Sequence, residues 1–346
     1  MPVPCVRVPV EDGEATRQRL ADADLLVDEY AITHEDGSLY IPVSDPDTVP
    51  EDLAVVDYDA PERETPTTPA DILGFEPTCE RLGDVVILDE DDPERARDVA
   101  DAVMASDVRA KTVVNRASKV KGTERVRDWD VLAGDGTASS EASRGSEDER
   151  RESSGTETVH TEYGCEFELD LAEVYFSPRL ATERHRVVEQ VAVGEHAFDM
   201  FAGVGPYAIP MAEAGATVVA TDINETAVEY LRRNARRNDV ADRVTAIAGD
   251  VRETASEYAD WADRIVMNLP HTADEFLDTA VALAGDDCVI HYYDFQHEND
   301  LFGPGEAAIR DAAEPAYDVT IENTRTVRSY APHELNVVLD ARLTRQ

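Results

Sequence analysis

The amino-acid sequence predicts an α/β protein whose larger part is a doubly wound, mostly parallel sheet, and three observations carry that reading. From about residue 172 onward, short apolar strand patterns alternate with helical ones. The first of those strands runs into a glycine turn, Gly203-x-Gly205, followed by Pro206, which suits the first position of a helix. Successive strands then end in a polar residue: Asp199, Asp222, Asp250 and Asn268. Ligands of open α/β sheets bind at those carboxyl ends.

In chain order, residues 1–43 read as a small α/β module. It has an apolar start from Val3 to Val10, a helical stretch with Ala15, Leu20 and Leu25, and a strand after the Asp36-Gly37 turn. Residues 44–70 are proline-rich and acidic and read as a linker. Residues 71–171 form a middle α+β domain, with a strand at 85–88 and a helix from Pro93 to Met104. Within it, residues 134–157 are rich in Ser, Gly and Glu without an apolar side chain larger than Ala, which predicts a disordered acidic insert. Residues 172–346 hold the sheet, with strands expected at 196–203, 217–223, 244–250, 264–269, 288–295 and 336–343 and helices at 179–192, 207–214, 225–238 and 273–284.

The 346 residues carry 74 Asp and Glu against 32 Lys and Arg, a formal charge of −42, while 42% of residues remain hydrophobic. A folded protein with such a surface repels itself unless salt screens it, so a salt-rich cytoplasm is the expected setting. No apolar run is long enough to span a bilayer, and the start lacks a basic segment before an apolar one, so neither membrane nor signal peptide is expected. The four cysteines (Cys5, Cys79, Cys165, Cys288) are dispersed and read as buried thiols, with no metal site. Against this acidic background, Arg109, Lys111, Arg116, Lys119, Lys121, Arg125 and Arg127 crowd one stretch with Glu124 as the sole acid. That reversal of charge predicts contact with a polyanion, the alternative being a solvated strand face.

Gly203-x-Gly205-x-x-Ala208 with Asp222 further on fits a nucleotide-type ligand whose ribose hydroxyls a carboxylate can accept. Asp222 and Asp250 could instead cap helices, and Asn268 could form a turn.

Asp-x-Phe-x-Gly-x-Gly with an acid at the second strand end resembles class I S-adenosylmethionine methyltransferases. The run Tyr175 to Arg186 (YFSPRLATERHR), DMFAGVGPYAIP from Asp199, the DIN of Asp222 to Asn224, Asp250-Val-Arg, MNLPH from Met267 and VIHYYDF from Val289 together resemble the archaeal and eukaryotic tRNA (guanine-37-N1)-methyltransferases. The likeness covers about residues 70–346, and the first forty residues look like the family's N-terminal tRNA-recognition module. It implies a Rossmann-like class I methyltransferase domain, S-adenosyl-L-methionine as cofactor, tRNA as partner and a cytoplasmic monomer. It also implies cofactor contacts from Arg184, Asp199, Gly203, Gly205, Asp222, Ile223, Asp250, Val251 and Asn268. Tyr175, Asn268 and Pro270 would line the base pocket, Glu183 would be the general base and Arg125 the arginine over guanine O6, with Arg127 its competitor for that role. Arg109, Lys111, Arg116, Lys119, Lys121 and Arg127 would meet the RNA. The chemistry agrees: guanine N1 carries a proton at neutral pH, so a base must remove it while a cation holds charge developing on O6. Without those motifs, Glu183 would read as a surface residue paired with Arg186 or His185. A wybutosine-pathway aminocarboxypropyltransferase and, at class level, an NAD-dependent oxidoreductase are the competing readings.

Overall fold

The computed structural model describes residues 2–63, 65–122, 124–134 and 155–346, so most of the expected acidic insert lies outside the described residues. The chain separates into two compact units, Met1–Thr67 and Thr68–Gln346.

In the first unit, β1 (Val3–Pro9) is flanked by β3 (Ser38–Pro42) and β4 (Ala54–Tyr58), both antiparallel to it, with β2 (Thr33–Glu35) outside β3. Helix α1 (Gly13–Asp22) packs Leu20 against Val6, Val8 and Ile41. The stretch expected as a linker therefore contributes a strand, and the module ends near Thr67 rather than at residue 43. Most of β4 is exposed, so backbone pairing with β1 defines it and hydrophobic patterning gives little sign of it.

The second unit opens with α2 (Pro69–Leu73) and a sheet in the order β5 (Cys79–Leu82), β6 (Val85–Leu88), β7 (Thr112–Arg116), β8 (Trp129–Gly134). Helix α3 (Pro93–Ala105) makes the crossover between the parallel pair β6 and β7 and buries Val99 and Val103 against Val86 and Val113. Cys79 is exposed, unlike the other three cysteines, because it lies on the edge strand of this sheet. A hairpin of β9 (Glu157–Glu162) and β10 (Cys165–Asp170) leads to α4 (Ala181–Val188).

The large sheet then assembles from β11 (His196–Asp199), β12 (Thr217–Asp222), β13 (Val244–Ala248), β14 (Ala262–Met267), β15 (Ala284–His297), β16 (Tyr317–Ala331) and β17 (Glu334–Arg345). Its order is β13-β12-β11-β14-β15-β17-β16, with only β17 antiparallel to β15 and β16 to β17. Helices α5 (Ala208–Glu213), α6 (Glu225–Arg237), α7 (Val251–Thr254), α8 (Leu277–Leu283) and α9 (Gly303–Ala313) connect the strands. Strand order reverses between β11 and β14, which opens a ligand crevice at their carboxyl ends. The expected strands all form. The sequence reading lacks β16 and α9: β16 is a largely exposed edge strand whose polar residues mask its pattern.

Candidate active site

The glycine turn after β11 is built by two different constraints. Gly205 has φ +94°, and a Cβ there would come within 2.4 Å of Leu231, so close helix packing demands glycine. Gly203 has φ +53°, and a Cβ there would meet only the Tyr175 carbonyl oxygen, at an ordinary 3.9 Å, while its N–H donates to the Asp222 carboxylate at 2.6 Å. Asp222 also accepts from the Asn224 N–H at 2.9 Å, and it is Asn224, not Asp222, whose side chain caps α6. Asp250 does cap its helix, α7, and pairs with Arg252, while Val251 beside it is buried in the core. Ile223 is 51% exposed, an apolar side chain left facing solvent next to Asp222.

Asp199 is wholly buried, and its two carboxylate oxygens close no hydrogen bond, although the Phe201 and Ala208 N–H groups face them. Burial raises its pKa to about 7. A carboxylate left without a partner beneath a glycine turn fits a ligand bearing an ammonium group, and the exposed Ile223 beside the Asp222 carboxylate fits an adenine and its ribose. S-adenosylmethionine has all three parts.

Glu183, expected as a base, is buried on α4 within a network of charges. Its carboxylate accepts from Arg186 Nη2 at 2.7 Å and Nε at 3.0 Å, and from the Tyr293 hydroxyl at 2.8 Å, which in turn receives a hydrogen bond from Tyr207 at 2.9 Å. Arg186 also donates to Asp340 at 2.5 Å. Arg264 can only donate, so His291 Nε2 accepts from it at 2.7 Å, which leaves the proton on Nδ1 to be given to Asp340 at 2.6 Å. Burial favours this neutral imidazole by lowering its pKa. Burial would raise Asp340, but His291 and Arg186 outweigh it and hold the carboxyl well below its usual range. The Glu183–Arg186 pair considered from sequence thus exists, in the interior rather than on the surface.

Arg184, expected at the cofactor, is held within the chain: its fork closes on Glu162 of β9 at 2.7 and 2.6 Å, and a further N–H reaches the Ser177 carbonyl at 3.0 Å. Both groups are buried, so this arginine joins α4 to the preceding hairpin.

Between β7 and β8 the chain turns back on itself, with Lys121 N–H bonded to the Val126 carbonyl at 2.8 Å and Arg125 at φ +58°. A non-glycine residue in the left-handed region costs about 1 kcal/mol or more, so the fold holds Arg125 there against its preference. Arg125, Arg127 and Tyr175 line one pocket. Burial lowers the Arg125 pKa, and the rings of Tyr175 and Tyr330 are close enough to act electrostatically on it. Burial chiefly disfavours the charged form of His271, with Arg125 adding to it, and burial likewise raises the pKa of Asp222, with a smaller contribution from Glu124. The turn therefore lies at the strand ends that carry the glycine loop and the Asn268-Leu269-Pro270-His271 loop. Pro270 is buried there, its carbonyl accepting from the Phe295 N–H at 3.2 Å, and Asn268 is half-buried.

Residues 158–321 match the TRM5/TYW2 methyltransferase domain, and residues 5–50 match the tRNA methyltransferase 5 N-terminal domain. Over 348 aligned residues the chain is 36% identical to the tRNA (guanine(37)-N(1))-methyltransferase Trm5b of Pyrococcus abyssi, covering 98% of each. The chain belongs to the Trm5 family. The crystal structure of wild-type Trm5b from Pyrococcus abyssi matches it with a TM-score of 0.67 at 34% identity, covering 99% of both chains. A tRNA(Phe) (4-demethylwyosine(37)-C(7)) aminocarboxypropyltransferase of Pyrococcus horikoshii is 33% identical over 76% of this chain and 88% of its own length.

In this Trm5-family chain the basic stretch is only partly available. Arg116 pairs with Glu80 and Asp89, each at 2.7 Å, and Lys121 pairs with Asp128, whereas Arg109 and Lys119 have exposed side chains. Several neighbours of the site are given no role from sequence: Tyr293, His291, Asp340, and the cluster of His271, Phe295 and Tyr330, in which the Phe295 and Tyr330 rings stack at 3.9 Å. One signal was present, because residues two apart on a strand share a face, so His291 and Tyr293 of the VIHYYDF motif point the same way.

Proposed function

We propose that this protein transfers the methyl group of S-adenosyl-L-methionine to N1 of guanosine 37 of tRNA, with Glu183 taking the N1 proton and Arg125 holding the charge on O6. The family and the full-length likeness to Trm5b carry the reaction. The observation that supports the residue roles is the convergence of Arg125, Tyr175 and the Asn268–His271 loop on the strand ends that bear the glycine turn. The cofactor would supply an electrophilic methyl group, its sulfur–methyl bond breaking as the bond to N1 forms and a neutral thioether leaving. Asp222 and the Gly203 region hold its nucleoside side, and Asp199 answers its ammonium group. Tyr175, Asn268 and Pro270 hold the base, which must leave its stack to reach them. Glu183 accepts the proton from N1 as the new N–C bond forms, and the Arg125 guanidinium donates to O6 as that oxygen gains charge. Arg186 divides its charge between Glu183 and Asp340, so it is not committed to the Glu183 carboxylate alone. The −42 charge supports a salt-rich cytoplasm as the working environment.

The aminocarboxypropyltransferase relative aligns with only 76% of the chain, and the N-terminal module at residues 5–50 is of the Trm5 type. Methyl-labelled S-adenosylmethionine and a tRNA transcript test the reading, with digestion to nucleosides. Label in 1-methylguanosine from position 37 is expected. Label in another nucleoside, or transfer of an aminocarboxypropyl group, overturns it.

A further inference from the structure

The pocket that holds Arg125 and Tyr175 has an unusual charge pattern for this molecule. Five guanidiniums line it, those of Arg116, Arg125, Arg127, Arg179 and Arg328, against one carboxylate, Glu80. Glu80 is already shared between Arg116 and Arg179. Among the described residues, no carboxylate lies within ion-pair distance of Arg125, Arg127 or Arg328. Other arginines without an ion pair, such as Arg97, Arg109, Arg236 and Arg325, are exposed, where water solvates them. The three in the pocket are half-buried, and Arg328 Nε is buried with no hydrogen-bond partner. Burial works against the charge of Arg127 and neighbouring Arg116 adds repulsion, which the more distant Asp89 and Glu80 carboxylates offset only in part.

In a chain with 74 acidic residues, a counter-charge for these groups could easily have come from within. Partly desolvated cations that stand unpaired are costly to keep and become favourable once an anion enters. The guanidinium fork matches a phosphate better than a compact anion, because it presents parallel N–H groups to two oxygens. Arg127 is braced for this by Trp129, whose ring centroid lies 5.5 Å from its guanidinium carbon. Arg328 comes from β16, where register irregularities flank it on both sides, between Thr326 and Arg328 and between Ser329 and Ala331. Bulges of this kind re-aim a side chain and are common beside active sites.

We propose that Arg127 and Arg328 form a seat for a backbone phosphodiester of the RNA strand, beside the nucleotide whose base enters the Tyr175 side of the pocket. The proposal rests on the tRNA reading and adds to it a residue from the methyltransferase sheet that no basic run marks. Seating the phosphate fixes the sugar, and thereby the base, before the proton is removed.

Three variants of the full-length protein, Arg328→Gln, Arg328→Lys and Arg127→Gln, test the seat by tRNA binding across a KCl series. Arg328→Gln should weaken tRNA binding about tenfold and reduce the slope of log K against log salt by about 0.7–0.9, the value of one released counterion. Arg328→Lys should recover most of the slope, and S-adenosylmethionine affinity should be unchanged in all three. In parallel, inorganic phosphate should raise the wild-type melting temperature more than chloride of equal ionic strength, and Arg328→Gln should abolish the difference. Wild-type enzyme that methylates guanosine 37 while Arg328→Gln binds tRNA with unaltered affinity and slope overturns the seat and leaves the reaction standing. A phosphate effect that survives in Arg328→Gln overturns it as well, whatever the substrate.

Discussion

Glu183 is buried with the charges around it answered from within the chain, whereas Arg127 and Arg328 face a pocket whose one carboxylate, Glu80, is paired with Arg116 and Arg179 instead of with them. The first region links α4, β14, β15 and β17 through Glu183, Arg186, Asp340, His291 and Arg264, and each charged group has a partner of opposite charge or a neutral dipole. The second has an excess of one sign. A network completed by the chain fixes a carboxylate in place before any substrate arrives, which is what preorganised chemistry requires. A pocket left incomplete is finished by its ligand. On the proposed reading, the two regions divide the work between holding the base and holding the RNA.

The strongest way to break this comparison is Glu183→Gln. The amide keeps the size and can still accept from Tyr293 and Arg186, but it cannot take a proton, so the single-turnover rate should fall about 10²–10⁴-fold with tRNA and cofactor affinity nearly unchanged. The variant should recover partly at high pH as guanine N1 deprotonates unaided. A full single-turnover rate would make Glu183 a structural member of its network and nothing more.

Next in size is Asp340→Asn, which removes the carboxylate shared by Arg186 and His291. Taking one partner from a buried ion pair costs about 3–5 kcal/mol, and thermal or denaturant unfolding should show a loss of that order. The sign with pH follows from the depressed folded pKa of Asp340. Its contribution is present above the unfolded value of about 4 and disappears as pH falls below it, so wild type and variant should converge in acid. A variant as stable as wild type at neutral pH would show that the network does not hold the fold.

Asp199→Asn should act in the opposite direction. With a folded pKa of about 7, Asp199 binds its proton more tightly in the folded state, so wild-type stability falls as pH rises from about 4 to about 7. The amide escapes that penalty. The variant should gain about 2–4 kcal/mol at pH 8, with the gain shrinking toward pH 5, while losing affinity for S-adenosylmethionine because the ammonium loses its counter-charge. Melting curves at the two pH values and calorimetric titration check both halves. Equal cofactor affinity in variant and wild type would separate Asp199 from the ligand.

The residues at the sheet ends were readable from sequence because turn chemistry and strand periodicity are local: Gly203, Gly205, Asp222 and Asn268 stand where strand ends were expected. Partners made by long-range pairing were not. Asp340 meets His291 only because β17 lies antiparallel to β15 in that register, 49 residues apart along the chain. Arg184 meets Glu162 because a hairpin folds back on α4. Strand β4 escaped notice for the same reason, since its backbone is held by β1 while its side chains stay largely exposed. Charge was legible as a total and as a basic run, but which bases remain unpaired depends on where Glu80 and Asp89 fall in space.

The smallest expected effect separates the two regions by their response to salt. Mobile ions screen exposed charges within about 3 Å at 1 M and reach buried pairs far less. The cost of Asp340→Asn should therefore agree within about 0.5 kcal/mol between 0.5 M and 3 M KCl, because Asp340 and His291 are buried and the Arg186 side chain is only 16% exposed. Overall stability should nevertheless fall as salt is removed, since a net charge of −42 repels itself across the exposed surface. Lys121→Ala provides the control: its pair with Asp128 is largely exposed, so its loss should change stability by less than about 1 kcal/mol. Unfolding curves for wild type and the two variants at each salt concentration supply the four differences needed. If the Asp340→Asn cost itself shrank steeply with added KCl, the network around Glu183 would be solvated rather than closed, and the contrast with the arginine pocket would reduce to one of sign.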